Sequence, residues 1–329
     1  MKVLVTGYGG FLGKAICRQL LANGYRVRGL ARGRYPEMEA LGVEAHQGSA
    51  AERSACEVAC RDVDAVIHTA ALAGVWGPAR DFVAANIEAT ENLLACCQRF
   101  HVGSFVFTSS PSVTFDGSAQ SYIDESVPYP TKWLCHYPRT KAIAEQKVLA
   151  ADSSQLRTCA LRPHLIWGKG DPHLIPRVIA RCRQGRLLRV GDGTNLIDTV
   201  HVDAAAAAHL GALQRLKDKD SAAAGRPYFI TDGVPQECWA WISTILSFAN
   251  LTPPKKRISL NLAYSVGAVL EGIYASMRKT EEPPMTRFVA KQLGVDHYFR
   301  IQNAIDRLGY QPPANRAELV AELVGSLAG

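Results

Sequence analysis

The chain has 329 residues, 47% hydrophobic and 20% charged, enough for one large or two interlocked domains and unlike collagen, coiled-coil or disordered compositions. Its 37 Lys and Arg against 30 Asp and Glu leave a net charge of +7, which fits an anionic small ligand and falls short of a nucleic-acid binder. Nine cysteines, an odd set without a CxxC pair, argue against a disulfide framework or a zinc site and for reduced thiols in a cytoplasmic protein; no metal is expected.

The opening MKVLVTG runs straight into a strand and leaves no room for a signal peptide. Short β-branched runs then alternate with amphipathic stretches: strands are expected at Val3–Thr6, Arg26–Leu30, Ala65–Thr69, Phe105–Thr108 and Thr158–Leu161. Between them Phe11–Ala22, Phe82–Phe100 and Arg139–Ala151 carry apolar residues at helical spacing. This is the pattern of an α/β fold, a Rossmann-type doubly wound parallel sheet, over residues 1–165, with a later return strand around 195–215.

Beyond residue 165 the alternation fails and Gly and Pro become frequent, so 166–329 reads as a smaller C-terminal substrate-binding lobe. It holds helices at Leu174–Gln184, Gln236–Asn250 and Leu260–Met277 and a strand at Tyr228–Thr231. The apolar stretch Ile258–Leu270 is too short and too interrupted to span a membrane. Its flank, Lys255-Lys256-Arg257, leaves open peripheral contact with an anionic membrane surface.

The first strand ends in Thr6-Gly7-Tyr8-Gly9-Gly10-Phe11-Leu12-Gly13. A GxxGxxG turn through Gly7, Gly10 and Gly13 lets backbone N–H groups meet a pyrophosphate at the start of a helix, which points to a dinucleotide site. The second strand ends in Ala31-Arg32, with no carboxylate for a ribose 2′-hydroxyl; Arg32 and Arg34 would pair a 2′-phosphate, so NADP is the first reading and NAD the second.

Tyr137-Pro138-Arg139-Thr140-Lys141 sets a phenol and an ammonium one helical turn apart. A nearby ammonium lowers a phenol's pKa, and a phenol so tuned can exchange a proton with a carbonyl oxygen while hydride moves at a nicotinamide.

With these stand His68-Thr69-Ala70-Ala71, Asn86–Asn92, Thr108-Ser109-Ser110, Leu161-Arg162-Pro163, Ile166-Trp167-Gly168 and His201-Val202-Asp203. Together they resemble the extended short-chain dehydrogenase/reductase family over nearly the whole chain. The resemblance implies Tyr137 as general acid/base, Lys141 as the residue that holds the nicotinamide ribose and tunes Tyr137, and Ser110 as the hydroxyl on the substrate oxygen, with Ser109 and Ser112 as alternatives. It also implies that the loop residues Tyr8, Phe11 and Leu12, the Ala70-Ala71 backbone, Asn86, Thr108 and Pro163 line the cofactor channel; His164 reads as packing. Gly48-Ser49 replaces the family's adenine-side Asp, and Ala204 the second Asp after His201-Val202-Asp203. Dehydratases of the family carry an acidic pair where this chain has Pro111-Ser112, and an epimerase would be expected to carry an acid at Ala31.

Within the family the chain is similar to the 3β-hydroxysteroid dehydrogenase-like branch, and there to bacterial keto-acid reductases of long-chain olefin biosynthesis. The segments are Ala73–Gly77, Pro111–Thr114, Lys141–Gln146, Leu165–Gly168, Gln184–Leu187, Val190–Asn195 and Glu282–Phe288. This implies NADPH-dependent reduction of a 2-alkyl-3-oxoalkanoate, with a hydroxysteroid or sterol dehydrogenase as the alternative, and a homodimer built on the two long helices. Such a substrate needs an apolar tunnel, for which Leu260–Met277, Trp239, Trp241 and Phe248 are candidates, and a cation for its carboxylate, for which Arg139, Arg177 and Lys132 are candidates. A non-catalytic NADP sensor would be expected to lack Tyr137 or Lys141.

Overall fold

The apolar runs of the first two-thirds become one sheet in the computed structural model, which describes residues 1–218 and 220–327. Its strands are Lys2–Thr6 (β1), Arg26–Ala31 (β2), Glu44–Gln47 (β3), Ala65–His68 (β4), Ser104–Thr108 (β5), Arg157–Pro163 (β6) and Arg226–Ile230 (β7). Their order is β7-β6-β5-β4-β1-β2-β3, and every pair is parallel. The winding reverses between β1 and β4, so the crevice beyond their carboxyl ends is the switch point at which such sheets bind ligands.

Helices cover both faces, and for this reason the central strands read as uninterrupted apolar runs. Phe11–Ala22 and Val202–Leu216 close one core with Val3, Val5, Ile67 and Leu161. The helices Arg53–Ala59, Ala89–Arg99 and His136–Ala150 close the other with Leu4, Val66, Phe105 and Phe107. The second long helix is continuous from Ala79, with a π-helical turn at Val83–Glu88 that turns Asn86 inward.

Three expectations change. Residues 195–215 supply two short strands, Leu196–Ile197 and Val200–His201, and then a helix; the strand returning to the sheet is β7. Strand β3 was not expected because Glu44-Ala-His-Gln has no apolar face; it lies at the sheet edge, where Arg28 Nη2 reaches Glu44 at 2.7 Å. A small second sheet, Gln236–Glu237, Leu196–Ile197, His297–Phe299 and Gln120–Ile123, joins distant segments and has no local signature.

The C-terminal lobe packs Leu174–Arg183 and Cys238–Phe248 around Trp167, Trp239 and Trp241. The Leu260–Ser276 helix lies against residues 286–287 through Gly267, where a Cβ would come within 2.7 Å of the Arg287 nitrogen.

Candidate active site

The glycine loop is tied to β2 by Gly7 N–H to the Leu30 carbonyl at 2.8 Å and closed on itself by Gly10 N–H to the Gly7 carbonyl at 2.9 Å. Gly7 has φ +69°, and a Cβ on Gly13 would stand 2.2 Å from the Gly7 oxygen, so neither place admits a side chain. Gly10 caps the Phe11–Ala22 helix without any side-chain bond, leaving the first-turn N–H groups free for an anion. This cradle fits a dinucleotide pyrophosphate.

Tyr8, Phe11 and Leu12 flank the cradle but turn their side chains into or against the core, so only their backbones face it. Tyr8 packs on Gly29 and edge-on to Tyr35, with ring centroids 5.2 Å apart. Tyr35 was missed from sequence: its ring covers Gly9, where a Cβ would fall 2.0 Å away, and walls the loop on the β2 side. Nothing but its aromatic character after Gly33-Arg34 could have drawn attention to it. Arg32 and Arg34 stand beside it, exposed, and neither forms an ion pair among the described residues.

The β4 end braces this turn. The Thr69 hydroxyl donates to the Thr6 carbonyl at 2.7 Å, and the Ala70 N–H donates to the Thr6 hydroxyl at 3.2 Å, which leaves exposed Ala71 at the crevice. Asn86 is buried, and its amide is fully used: Oδ1 accepts from Leu72 N–H at 2.8 Å, and Nδ2 donates to the Leu72 carbonyl and the Thr140 hydroxyl at 3.2 and 3.0 Å. It therefore ties the post-β4 loop to the helix of Tyr137, and no donor is left over for a cofactor.

Three serines compete at the end of β5. Ser109 is buried with its hydroxyl unpartnered among the described residues, and Ser112 is bonded to Ser110 Oγ at 2.9 Å. Ser110 is the one whose hydroxyl is near enough to the Tyr137 phenol to influence its titration. Burial raises the Tyr137 pKa above its ordinary value of 10.0, and the Ser110 hydroxyl works against this.

Lys141 does not tune Tyr137 as expected. Its ammonium is turned to the Thr108 carbonyl at 2.6 Å and lies 3.9 Å from the Phe107 ring centroid. Burial brings its pKa down to about 7, opposed by Glu145 one turn on. Thr108 is held in turn by its hydroxyl, 2.7 Å from His209 Nε2.

Glu145 and Arg162 form a buried bidentate pair, Arg162 Nε lying 3.1 Å from Glu145 Oε2, and the Tyr129 hydroxyl donates to Glu145 Oε1 at 2.6 Å. The pair clamps the His136–Ala150 helix to β6 just before Pro163, which ends that strand at the crevice. His164 is bonded to His297 at 2.7 Å, and both are buried and held below their ordinary pKa by desolvation; this is packing between the lobes.

The tunnel expectation is corrected in part. Trp239 and Trp241 are core residues, Trp241 lying 5.2 Å from the Trp167 ring in an edge contact, and Phe248 is half-buried. Of the three candidate cations, Arg177 is committed to Glu282, whereas half-buried Arg139 and exposed Lys132 make no ion pair among the described residues. Gly48 is close-packed on Ala55, and the Ser49 hydroxyl accepts from Ala51 N–H at 3.3 Å. Among the described residues no cluster could hold a metal ion.

A dinucleotide cradle at the switch point, followed by Ser, Tyr and Lys at the ends of β5 and its helix, defines an extended short-chain dehydrogenase/reductase, an oxidoreductase. The chain belongs to the 3-beta hydroxysteroid dehydrogenase/isomerase family, whose model matches residues 4–262. It is 45% identical to the 2-alkyl-3-oxoalkanoate reductase of Shewanella oneidensis, over 98% of this chain and 85% of that one. It is 42% identical to the 2-alkyl-3-oxoalkanoate reductase of Stenotrophomonas maltophilia, over 100% of both. The solved UDP-glucuronic acid 4-epimerase of Bacillus cereus in complex with NAD shares the fold, at 19% identity, TM-score 0.73 and 100% coverage of both chains.

Proposed function

We propose that this protein reduces a 2-alkyl-3-oxoalkanoate to the 2-alkyl-3-hydroxyalkanoate with NADPH. The observation that carries the chemistry is the half-buried Tyr137 phenol, held above its ordinary pKa by desolvation, with the Ser110 hydroxyl near enough to work against that rise. A phenol so placed stays protonated at neutral pH and is a proton donor to a carbonyl oxygen. The nicotinamide, when bound, supplies the hydride. Ser110 orients the carbonyl oxygen toward the phenol; Lys141, anchored on Thr108, presents its ammonium to the nicotinamide ribose. The choice of substrate rests on likeness to two reductases over nearly their full length.

Arg32 and Arg34, exposed and unpaired at the β2 end, support NADPH over NADH. Residues 1–165 with the Val202–Leu216 helix and β7 would bind the dinucleotide, and the rest of 166–329 the substrate. Arg139 and Lys132 are the cations open to the substrate carboxylate. We place the protein as a cytoplasmic homodimer of long-chain olefin biosynthesis, pairing through the Ala79–Arg99 and His136–Ala150 helices; no described helix is long and apolar enough to cross a membrane.

The family description favours one second reading, a 3β-hydroxysteroid or sterol dehydrogenase, which would use the same Ser110, Tyr137 and Lys141. Purified protein given NADPH or NADH with a 2-alkyl-3-oxoalkanoate, and separately with a 3-oxosteroid, separates them. Fast NADPH oxidation with the keto acid alone is expected; turnover confined to the steroid would move the substrate assignment.

A further inference from the structure

His68 and Thr90, which the chemistry above leaves aside, lie buried between the dinucleotide cradle and the helix of Tyr137. A threonine hydroxyl meets each ring nitrogen of His68: Thr6 Oγ1 is 2.7 Å from Nδ1 and Thr90 Oγ1 is 3.1 Å from Nε2. Each hydroxyl has a further partner. Thr90 Oγ1 donates to the Asn86 carbonyl at 2.7 Å, and Thr6 Oγ1 accepts from Ala70 N–H at 3.2 Å. Thr6, His68, Asn86 and Thr90 are each at most 1% exposed, so solvent offers none of them a competing bond.

These partners leave one arrangement of protons. A carbonyl only accepts, so the single Thr90 proton is spent on Asn86, and toward His68 the Thr90 oxygen is an acceptor. His68 Nε2 therefore carries the ring hydrogen, and Nδ1 accepts from the Thr6 hydroxyl. The ring stays neutral because burial, with Lys141 adding to it, brings its pKa down to about 3. The bonds thus run in one direction, from Ala70 through Thr6, His68 and Thr90 to Asn86.

Both ends of this chain reach working parts of the site. Ala70 stands against the glycine turn, where a Cβ on Gly7 would come within 2.9 Å of the Ala70 nitrogen. At the other end Asn86 Nδ2 donates to the Thr140 hydroxyl at 3.0 Å, and that hydroxyl donates to the His136 and Tyr137 carbonyls at 3.0 and 3.1 Å. Thr140 belongs to the turn that separates Tyr137 from Lys141.

We propose that His68 is a positioning residue for the reduction: by linking Thr6 to Thr90 in one tautomer, it fixes the helix of Tyr137 relative to the turn that cradles the dinucleotide. It acts through Asn86 and Thr140, from behind the site. Hydride and proton must reach the two ends of one carbonyl, and a misplacement of about 1 Å can cost on the order of a hundredfold in rate. The proposal rests on the reading of Tyr137 as proton donor and on no particular ketone.

Thr90→Val keeps the side chain's shape and breaks the chain, whereas Thr90→Ser keeps the hydroxyl. With whichever ketone the parent reduces, keto acid or steroid, Thr90→Val should lower kcat at least about tenfold and leave KM for NADPH within about twofold. Thr90→Ser should recover most of the parent's kcat, and His68→Phe, a flat ring without either bond, should repeat the Thr90→Val pattern. Spectra of the parent labelled with nitrogen-15 histidine should show an imidazole, lost in His68→Phe and shifted in Thr90→Val, that is neutral with its proton on Nε2 from about pH 5 to 8. Unchanged kcat in Thr90→Val, Thr90→Ser as slow as Thr90→Val, or NADPH affinity falling in step with kcat would overturn the proposal. So would a His68 ring protonated on Nδ1 or titrating near the ordinary value of 6.5, a result the parent's spectra give even where a variant does not fold. A parent that reduces the steroid and not the keto acid would count against the substrate reading alone.

Discussion

Lys141 Nζ lies 2.6 Å from the Thr108 carbonyl oxygen, so the His136–Ala150 helix is fastened to the end of β5 by a buried side chain one turn from Tyr137. The bond is formed in a water-poor place, and burial brings the lysine down to about 7.

The stability of the cofactor-free protein should register this. An unfolded lysine titrates near 10.5, so between about pH 7 and 10.5 the unfolded chain binds the extra proton and the fold gains stability as pH rises. Below pH 7 the cost of burying the charge is fully present, on the order of a few kcal/mol. Lys141→Met removes that dependence: its stability relative to the parent should be highest near pH 6 and decline steadily toward pH 10. Urea unfolding across the range checks this, and a difference independent of pH would contradict it.

Breaking the buried Glu145–Arg162 pair should be costly. Glu145→Gln leaves the Arg162 guanidinium buried without its counter-charge, for an expected loss of about 3–5 kcal/mol. It also removes the carboxylate that opposes the fall of the Lys141 pKa, so the pH limb assigned to Lys141 should move lower. Thermal unfolding and the pH profile together test both halves.

The cofactor preference is open to a two-residue change. Arg32→Ala with Arg34→Ala should raise KM for NADPH by at least about tenfold, the loss of one or two charge-assisted bonds, and leave KM for NADH nearly unchanged. Equal weakening of both cofactors would assign the arginines a general electrostatic role.

The direction of reaction should show in the pH profile. Desolvation holds the Tyr137 proton beyond the ordinary value of 10.0, so oxidation of the hydroxy acid, which needs the phenolate, should still be accelerating at pH 10. The rate of that reaction from pH 7 to 10 is the check; a plateau near pH 8 would mean that the phenol is tuned downward.

What was legible in the sequence is what backbone geometry or symmetric burial dictates. Gly7 and Gly13 have no substitute where a Cβ would strike Ala70 or the Gly7 carbonyl, and β1, β4 and β5 are apolar because both faces are covered. Tyr137 and Lys141 share a helix face by spacing alone. Less legible was whatever depends on partners distant in the chain. Strand β3 is polar at an edge, Gln120–Ile123 pairs with His297–Phe299, and Trp241 finds Trp167 instead of a tunnel. The spacing of Lys141 gave its nearness to Tyr137 but not the carbonyl that draws its ammonium away.

If Tyr137 is the proton donor, its hydroxyl and nothing else of the side chain is needed for turnover. Tyr137→Phe keeps the ring that fills the site and removes only the hydroxyl, so NADPH affinity, read by fluorescence titration, should stay within about twofold of the parent. Turnover of the keto acid should fall by about 10³-fold or more, within the span expected for a positioned acid. Retained turnover would contradict the assignment, and loss of NADPH binding with the fold intact would place Tyr137 in cofactor binding instead of catalysis.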